Sequence, residues 1–549
     1  MQFTAYDTDE DGSIDHVEWM VPHLSTQTFE IIYISKAFRL DADKKIIEDI
    51  YDIVKSQDQN FANLISGQYV RVIFEESLDN SNDITIYAKP HDEAEPASIE
   101  AYTLEGQLLA IFENIDHDGK YRILLTNLQT PTDIFDLKII GNIDIDQIID
   151  PPANAYWVGG SGNWSDATNH WAISSGGAPG SDNLPDATSN VIFDASSGGS
   201  SVTATIDTTF TIGSLTINGF TGTIAQNANL TITNSGGQSG DYAQISAAAF
   251  TATSPETNTF SVTGNFSVLY GTFKRYTGTG ISSDPYMVFD VYGLQGMKTG
   301  LANSYKLNGN INASVTSGWN SASGFVPVGD STTNFSGGFN GNGYTISNLF
   351  ISTTTVNYVG LFGYSVSQIQ NVTLSGVSIA ATSTAGANGT AGADGSSGAS
   401  PTAGGNGTAG SNGSALYIGG LAGYSVGAIT SSSVSGTVRG VGGAGGNSGN
   451  AGNGGNSTGA ATGGAGGAPR AGGIGGAVYA GGLIGYSASD ITTSSSTATV
   501  IGTGGAGGNT GTAGNGGSSV SGIGGAGGTL LAGGAGSASY TVPSAHVKR

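Results

Sequence analysis

Residues 7–18 read DTDEDGSIDHVE, and the oxygen-bearing side chains in them recur at the spacing of a divalent-cation loop. Asp7, Asp9, Asp11, Asp15 and Glu18 fall at loop positions 1, 3, 5, 9 and 12, and Ser13 at position 7 offers its backbone carbonyl. Gly12 stands where the chain must turn sharply, and Ile14 can point inward. A hard cation that takes about 6–8 oxygen ligands needs this pattern, so Ca2+ is the expected ligand. A second candidate is GYSVG (423–427), which has the Gly-x-Ser-x-Gly form of a nucleophile elbow around Ser425. Its sister phrases read GYSVS and GYSAS, no helix pattern follows, and no His or Asp partners can be placed. Ser425 therefore reads as a turn residue of a repeat. The six His form no His-Glu-x-x-His, and Gly-x-Gly-x-x-Gly matches in the glycine-rich stretches are composition. After residue 291 the acids are Asp330, Asp394 and Asp490, too scattered in sequence for a paired-carboxylate site.

The segments around the calcium loop are not those of a helix–loop–helix hand. MQFTAY is too short for an entering helix, and Pro22 stops an exiting one. The loop resembles those of dockerin and thrombospondin type 3 repeats, a likeness that implies a calcium-tied junction between extracellular modules. Asp116-His117-Asp118-Gly119 echoes the motif, but counting from Asn114 puts Arg122 and Leu125 at positions 9 and 12. That cannot close a calcium shell, and a hairpin turn is expected there.

Charge divides the chain. Residues 1–150 hold 30 Asp/Glu against 10 Lys/Arg; of the whole chain's 42 and 18, this leaves 12 against 8 for the remainder. An acidic front suits calcium or basic partners and argues against nucleic acid, whose phosphates need a Lys/Arg surface. There is no Cys, so disulfides and thiolate metal sites are ruled out. No run of about 18 apolar residues predicts a transmembrane helix. Met1 is followed by QFTAYDTDED, which lacks a signal peptide's basic start and apolar stretch, and SASYTVPSAHVKR carries no anchor. The expectation is a fragment of a longer secreted or cell-surface protein.

After a linker-like start (1–25), residues 26–150 predict a β-sandwich-like domain. TFEIIYI, QYVRVIFEE, DITIYAKP, SIEAYTLEG, KYRILLTNL and FDLKIIGNIDI are strand-like in β-branched and aromatic content. DADKKIIEDIYDIVKSQ (41–57) has apolar residues at helical spacing and predicts a helix. From 155 to 290 short runs alternate apolar and Thr/Ser residues between Gly/Asn turns, which favours a β-solenoid. Trp157, Trp164 and Trp171, spaced by seven, suggest either a sugar-binding platform or a hydrophobic cap on the first coil, and the cap is expected.

Residues 291–549 return three times to one phrase: YVGLFGYSVSQI (358–369), YIGGLAGYSVGAI (417–429) and YAGGLIGYSASDI (479–491). An Ile follows each GYS tyrosine by five residues, at Ile369, Ile429 and Ile491. Val434 and Val438 share one face at even offsets, so each phrase predicts one apolar-lined coil that needs stacked neighbours. The fillers at about 386–414, 440–476 and 502–528 place Gly every third residue, from Gly386 onward. That is the period of collagen and of polyglycine II, and Pro401 and Pro469 alone are too little proline for collagen. Polyglycine-II-like strands packed on one another are expected.

Trp319, GFVPVG, the run from Phe335 to Leu349 and the three GYS phrases, over roughly 290–500, resemble the GLUG-motif region of large bacterial surface proteins. These include filamentous-haemagglutinin-like adhesins and some immunoglobulin-cleaving peptidases. The resemblance implies a right-handed parallel β-helix displayed outside the cell. The expected chain is all-β and non-enzymatic. It is an adhesin-like protein whose partners are a host or neighbouring cell surface and its glycans. A structural stalk or envelope layer is the alternative, and a β-helix polysaccharide-degrading enzyme ranks below both.

Overall fold

The computed structural model describes residues 3–6, 16–19, 34–55, 58–78, 83–92, 96–125, 128, 130–149, 153–180, 183–187, 189–234, 239–354, 356–529, 532–536 and 538–542. The chain divides into two compact units, Met1–Pro152 and Ala153–Arg549, and is all-β with many parallel sheets.

In the first unit two antiparallel sheets share one core. One has the strand order Ile46–Asp49, Ile34–Leu40, Tyr69–Leu78, Thr132–Ile140, Ala97–Thr103, Leu108–Ile115. The other runs Gly119–Leu124, Asp83–Pro90, Ile143–Ile149, Ala62–Leu64. Alternation puts Val70, Val72 and Phe74 inside from one sheet, and Ile84, Ile86 and Ala88 from the other. On the central strand Asp136 is fully buried yet paired, to Arg71 at 2.7 Å and Lys44 at 2.9 Å. Burial alone would raise its pKa; the two cations hold the carboxyl below its usual value.

Three local expectations change here. The helix over 41–57 is instead a hairpin followed by a single turn, Tyr51–Val54. Asp41 accepts from the N–H groups of Asp43 and Lys45, and Lys44 sits at φ 60°. This side-chain-closed turn feeds Ile46–Asp49 back against Ile34–Leu40. The helical spacing survives only as Ile50 and Val54, buried four residues apart. The 116–119 segment is no hairpin: Leu108–Ile115 pairs with Ala97–Thr103, whereas Gly119–Leu124 pairs with Asp83–Pro90 in the other sheet. It is a corner between layers, pinned where Tyr121 Oη donates to the His117 carbonyl at 2.8 Å. FDLKIIGNIDI likewise breaks at Gly141 (φ 84°) into strands of different sheets.

In the second unit the chain lays strands on three parallel sheets in turn and returns one strand further along each time. Inward positions stack in register as Val191, Leu215, Tyr242, Phe266; as Ala204, Ile224, Phe250, Phe273; and as Phe210, Leu230, Phe260. One buried cluster runs from Ala155 to Ala498, continuous across residue 290. Its first layer is Trp157, Trp164 and Trp171, all fully buried, with Trp171 edge-on to both others at 5.2 Å. The tryptophans thus cap the stack, and none offers a face to a sugar.

From Phe339 each turn visits four sheets, and from Ile369 the turns become longer. One turn comprises Ile369–Gln370, Thr373–Thr382, Leu416–Gly419 and Ala422–Ser425; the next comprises Ile429–Thr430, Ser433–Val441, Val478–Gly481 and Ile484–Ser487. Ile369, Ile429 and Ile491 pair in parallel register, as do Leu374 with Val434 and Ile379 with Val438. The glycine-rich stretches leave the stack after Thr373–Thr382, Ser433–Val441 and Thr499–Thr503, and rejoin at Leu416–Gly419, Val478–Gly481 and Ser539–Val542.

Candidate binding surface

The repeated phrase carries two tyrosines per turn. Strand register places Tyr358, Tyr417 and Tyr479 in one row and Tyr364, Tyr424 and Tyr486 in another. Rings stack face to face along each row, at 5.1 and 4.8 Å in the first and 4.6 and 4.8 Å in the second. Between rows they meet edge-on, at 5.4 Å for Tyr358 with Tyr364 and 5.5 Å for Tyr417 with Tyr424. All six are half-buried, so each row shows edges and hydroxyls at the surface while its ring faces serve one another. Burial, then the neighbouring tyrosines, raise the pKa of Tyr358, Tyr417 and Tyr424, which keeps these hydroxyls protonated donors near neutral pH. In the sequence these tyrosines mark the repeat without revealing the ladders. Their recurrence at one place in each phrase was the available signal.

Beneath the ladders lie the serines of the phrase. Ser365, Ser425 and Ser487 are buried, and each hydroxyl donates to the carbonyl two residues on: Ser367 at 3.1 Å, Gly427 at 2.8 Å and Ser489 at 2.8 Å. Ser425 is buried and its hydroxyl closes a turn.

Beside the ladders the three glycine-rich stretches form hairpins stacked as three layers. Within the first, the N–H groups of Gly405, Thr408 and Ser411 donate to the carbonyls of Ala393, Thr390 and Ala387 at 2.7–3.0 Å. Between layers, Gly386, Gly389, Gly392 and Gly395 donate to Ala444, Asn447, Asn450 and Asn453. Gly445, Ser448, Ala451 and Gly454 donate in turn to Ala506, Asn509, Thr512 and Asn515. Every third N–H engages the next layer, the hydrogen-bonding pattern that a three-residue repeat without internal bonds requires.

Close backbone approach explains the glycine. A Cβ on Gly446 would collide with the carbonyl of Ala387, one on Gly445 with that of Gly473, and one on Gly508 with that of Gly446. The middle layer has neighbours on both sides, and its arms carry Gly-Gly-x triplets; the first layer mostly carries one Gly per triplet. In the outgoing arm of the middle layer the third residue of each triplet is exposed, as at Asn447, Asn450, Asn453 and Asn456. These side chains staple the layers. Asn388 Oδ1 accepts from Asn447 N–H at 2.8 Å and Asn447 Oδ1 from Asn509 N–H at 2.8 Å. Asp394 accepts from Asn453 at 2.6 Å and Asn453 from Asn515 at 3.0 Å.

The other predicted residues are dispersed. Asp7, Asp9, Asp11, Ser13 and Asp15 lie outside the described residues. Glu18 falls in the strand His16–Trp19, paired antiparallel with Phe3–Tyr6 so that residues 6 and 16 face each other at the base of the loop. Asp330 closes its own turn through Thr332 and Thr333, Asp394 belongs to the glycine layers, and Asp490 follows the strand Ile484–Ser487.

Halomucin of Haloquadratum walsbyi is 38% identical over 121 residues, which is 20% of this chain and 1% of that protein. A putative Gly-rich membrane protein of Evansella cellulosilytica is 33% identical over 87 residues, 16% of this chain and 10% of that protein. The chain therefore spans a small part of each relative. No family model and no solved structure matches.

Proposed function

We infer that the second unit is a right-handed parallel β-helix of the GLUG-motif kind, and that the chain is a non-enzymatic, adhesin-like part of a secreted or cell-surface protein. The right hand follows the rule for parallel crossovers. The observation that carries the reading is the in-register repeat, which sets two tyrosines and one glycine layer on the surface at every turn. Such repetition builds a long contact face with no need for a pocket. Hydroxyl edges at strand spacing suit a polyhydroxylated ligand, so glycans on a host or neighbouring cell are the proposed partner. The likeness to halomucin and to a Gly-rich membrane protein supports a place at or outside the envelope. A glycan array probed with the chain, and with a Tyr417→Ala/Tyr424→Ala variant, tests this. Binding that the variant loses supports it; a blank array with retained structure contradicts it. The stalk or envelope reading is favoured by one feature, the ring faces spent on stacking, and it predicts the blank array.

The 7–18 loop is proposed to hold Ca2+ through Asp7, Asp9, Asp11, Ser13 (backbone), Asp15 and Glu18, and a hairpin that closes its base fits that role. Titration calorimetry should show one site, abolished by Asp11→Asn. Equal heats in both proteins would remove the assignment.

A further inference from the structure

The three glycine layers do not end alike. On the first layer, the face turned away from the second carries Thr384, Ala387, Thr390, Ala393 and Ser396 on one arm and Thr402, Gly405, Thr408, Ser411 and Ser414 on the other. Their side chains close it: Thr390 Oγ1 meets Thr408 Oγ1 at 3.1 Å, Ser396 Oγ meets Thr402 Oγ1 at 3.0 Å, and both hydroxyls of the returning arm accept backbone N–H groups. The first layer is capped.

The third layer is open. In the second layer, Gly463, Gly466, Gly472 and Gly475 are glycine because a Cβ on each would collide with a third-layer carbonyl. Their counterparts one layer on are Gly524, Gly527, Gly533 and Gly536. There the nearest atoms to an added Cβ lie 3.6, 3.9, 3.4 and 3.7 Å away, so nothing among the described residues demands glycine. The hydrogen-bonding rows repeat the contrast. Second-layer N–H groups of Gly445, Ser448, Ala451 and Gly454 are bonded to the third layer, whereas the equivalent N–H groups of Gly507, Thr510, Ala513 and Gly516 have no partner among the described residues. The Gly464, Gly467 and Gly473 carbonyls accept from Gly517, Gly514 and Gly508; those of Gly525, Gly528 and Gly534 accept nothing from the described residues.

A separate feature marks the same layer. Val520 and Ile523 at its tip are 80% and 78% exposed, and Ile501 at its root is 45% exposed. Ile501 takes the register position of Arg439. The stretch 501–538 contains no charged residue.

We propose that this outer face docks a fourth glycine-rich layer: a polypeptide segment with Gly at two of every three positions, continuing the interface already built between the second and third layers. The occupant must present carbonyls toward the open N–H rows and N–H groups toward the open carbonyls, as the third layer does to the second. The second-layer N–H groups of Gly463, Gly466 and Gly475 also donate to the third layer, and the equivalent N–H groups of Gly524, Gly527 and Gly536 have no partner among the described residues. Two third layers face to face would therefore oppose two donor rows with only one carbonyl row each, which makes a second copy of this chain the poorer fit. The capped first layer cannot serve at all.

The test uses the full chain, 15N-labelled, with an unlabelled synthetic peptide of residues 440–477 as probe. The peptide orders as it docks, so the expected dissociation constant is roughly millimolar. Expected are saturable shifts at Gly507, Gly516, Gly524, Gly527, Gly533 and Gly536, none at Thr390 or Thr408, and none with a composition-matched scrambled peptide that lacks the period of three. A G524A/G527A/G533A/G536A chain should keep its melting temperature, because each new methyl makes only ordinary van der Waals contact, and should bind at least tenfold more weakly. Absence of shifts, equal binding by the variant, shifts on the first layer, or self-association of the chain through the third layer in place of peptide binding would each overturn the proposal.

Discussion

The coils and the glycine layers of the second unit are both stacks with one step per turn, made from opposite materials. In the coils neighbours meet through side chains: Ile369 lies on Ile429, and Leu374 on Val434. In the layers they meet through backbone, and any side chain between them is an obstruction. The first kind gains stability from apolar area removed from water. The second gains it from backbone hydrogen bonds, which in the outgoing arm of the middle layer engage two of every three N–H groups, each contributing about 1 kcal/mol net. The layers therefore depend on the coils to bring their roots together, since a glycine chain alone has the most conformational entropy to lose. The apolar phrase is thus the scaffold, and the glycine is the outgrowth that the scaffold aligns.

Perturbations separate the two. Phe362→Ala removes a fully buried ring that packs against Phe335 at 4.8 Å and Phe339 at 5.2 Å. It should cost about 3–5 kcal/mol in denaturant unfolding of the second unit and loosen coils and layers together. Gly446→Ala should cost less, about 2–3 kcal/mol, from two or three lost interlayer bonds. Its signature is local: faster amide exchange in 386–413 and 505–511, with no change at Ile429 or Val438. If the coils loosened equally, the division of labour would be wrong. Asn447→Ala removes one staple, the bond to Asn509 N–H, and should cost about 0.5–1.5 kcal/mol, read as lost protection at Asn509. Asp394→Asn should be smallest, within about 0.5 kcal/mol, because an amide oxygen can accept from Asn453 as the carboxylate does. A large loss there would mean that the charge itself matters.

Much of the architecture was legible. The strands Asp83–Pro90 and Ala97–Thr103 announce themselves by alternation, the Ile369, Ile429 and Ile491 rung by its spacing, and the layers by their period of three. What escaped depends on partners far away in sequence. The 41–57 segment has helical spacing, but a turn closed by Asp41 and an open strand edge at Ile34–Leu40 outweigh it. The corner at 116–119 looks local and is set by which sheet each strand joins. The tyrosine ladders were visible in letters but acquire meaning only when residues 59 and 62 apart, at 358, 417 and 479, are brought into contact. The doubling of glycine in the second filler also encodes a layer with two neighbours, once the stacking order is known.

Backbone hydrogen bonds between layers order the glycine stretches, and residue-resolved hydrogen exchange at the glycine amides measures that order. The N–H groups of Gly446, Gly449 and Gly452, which donate to Ser411, Thr408 and Gly405, should exchange far more slowly than free peptide, while the unbonded amides of the outer third-layer row, such as Gly527, exchange fast. Exchange at free-peptide rates throughout 440–476, with the coil amides still protected, would contradict the account.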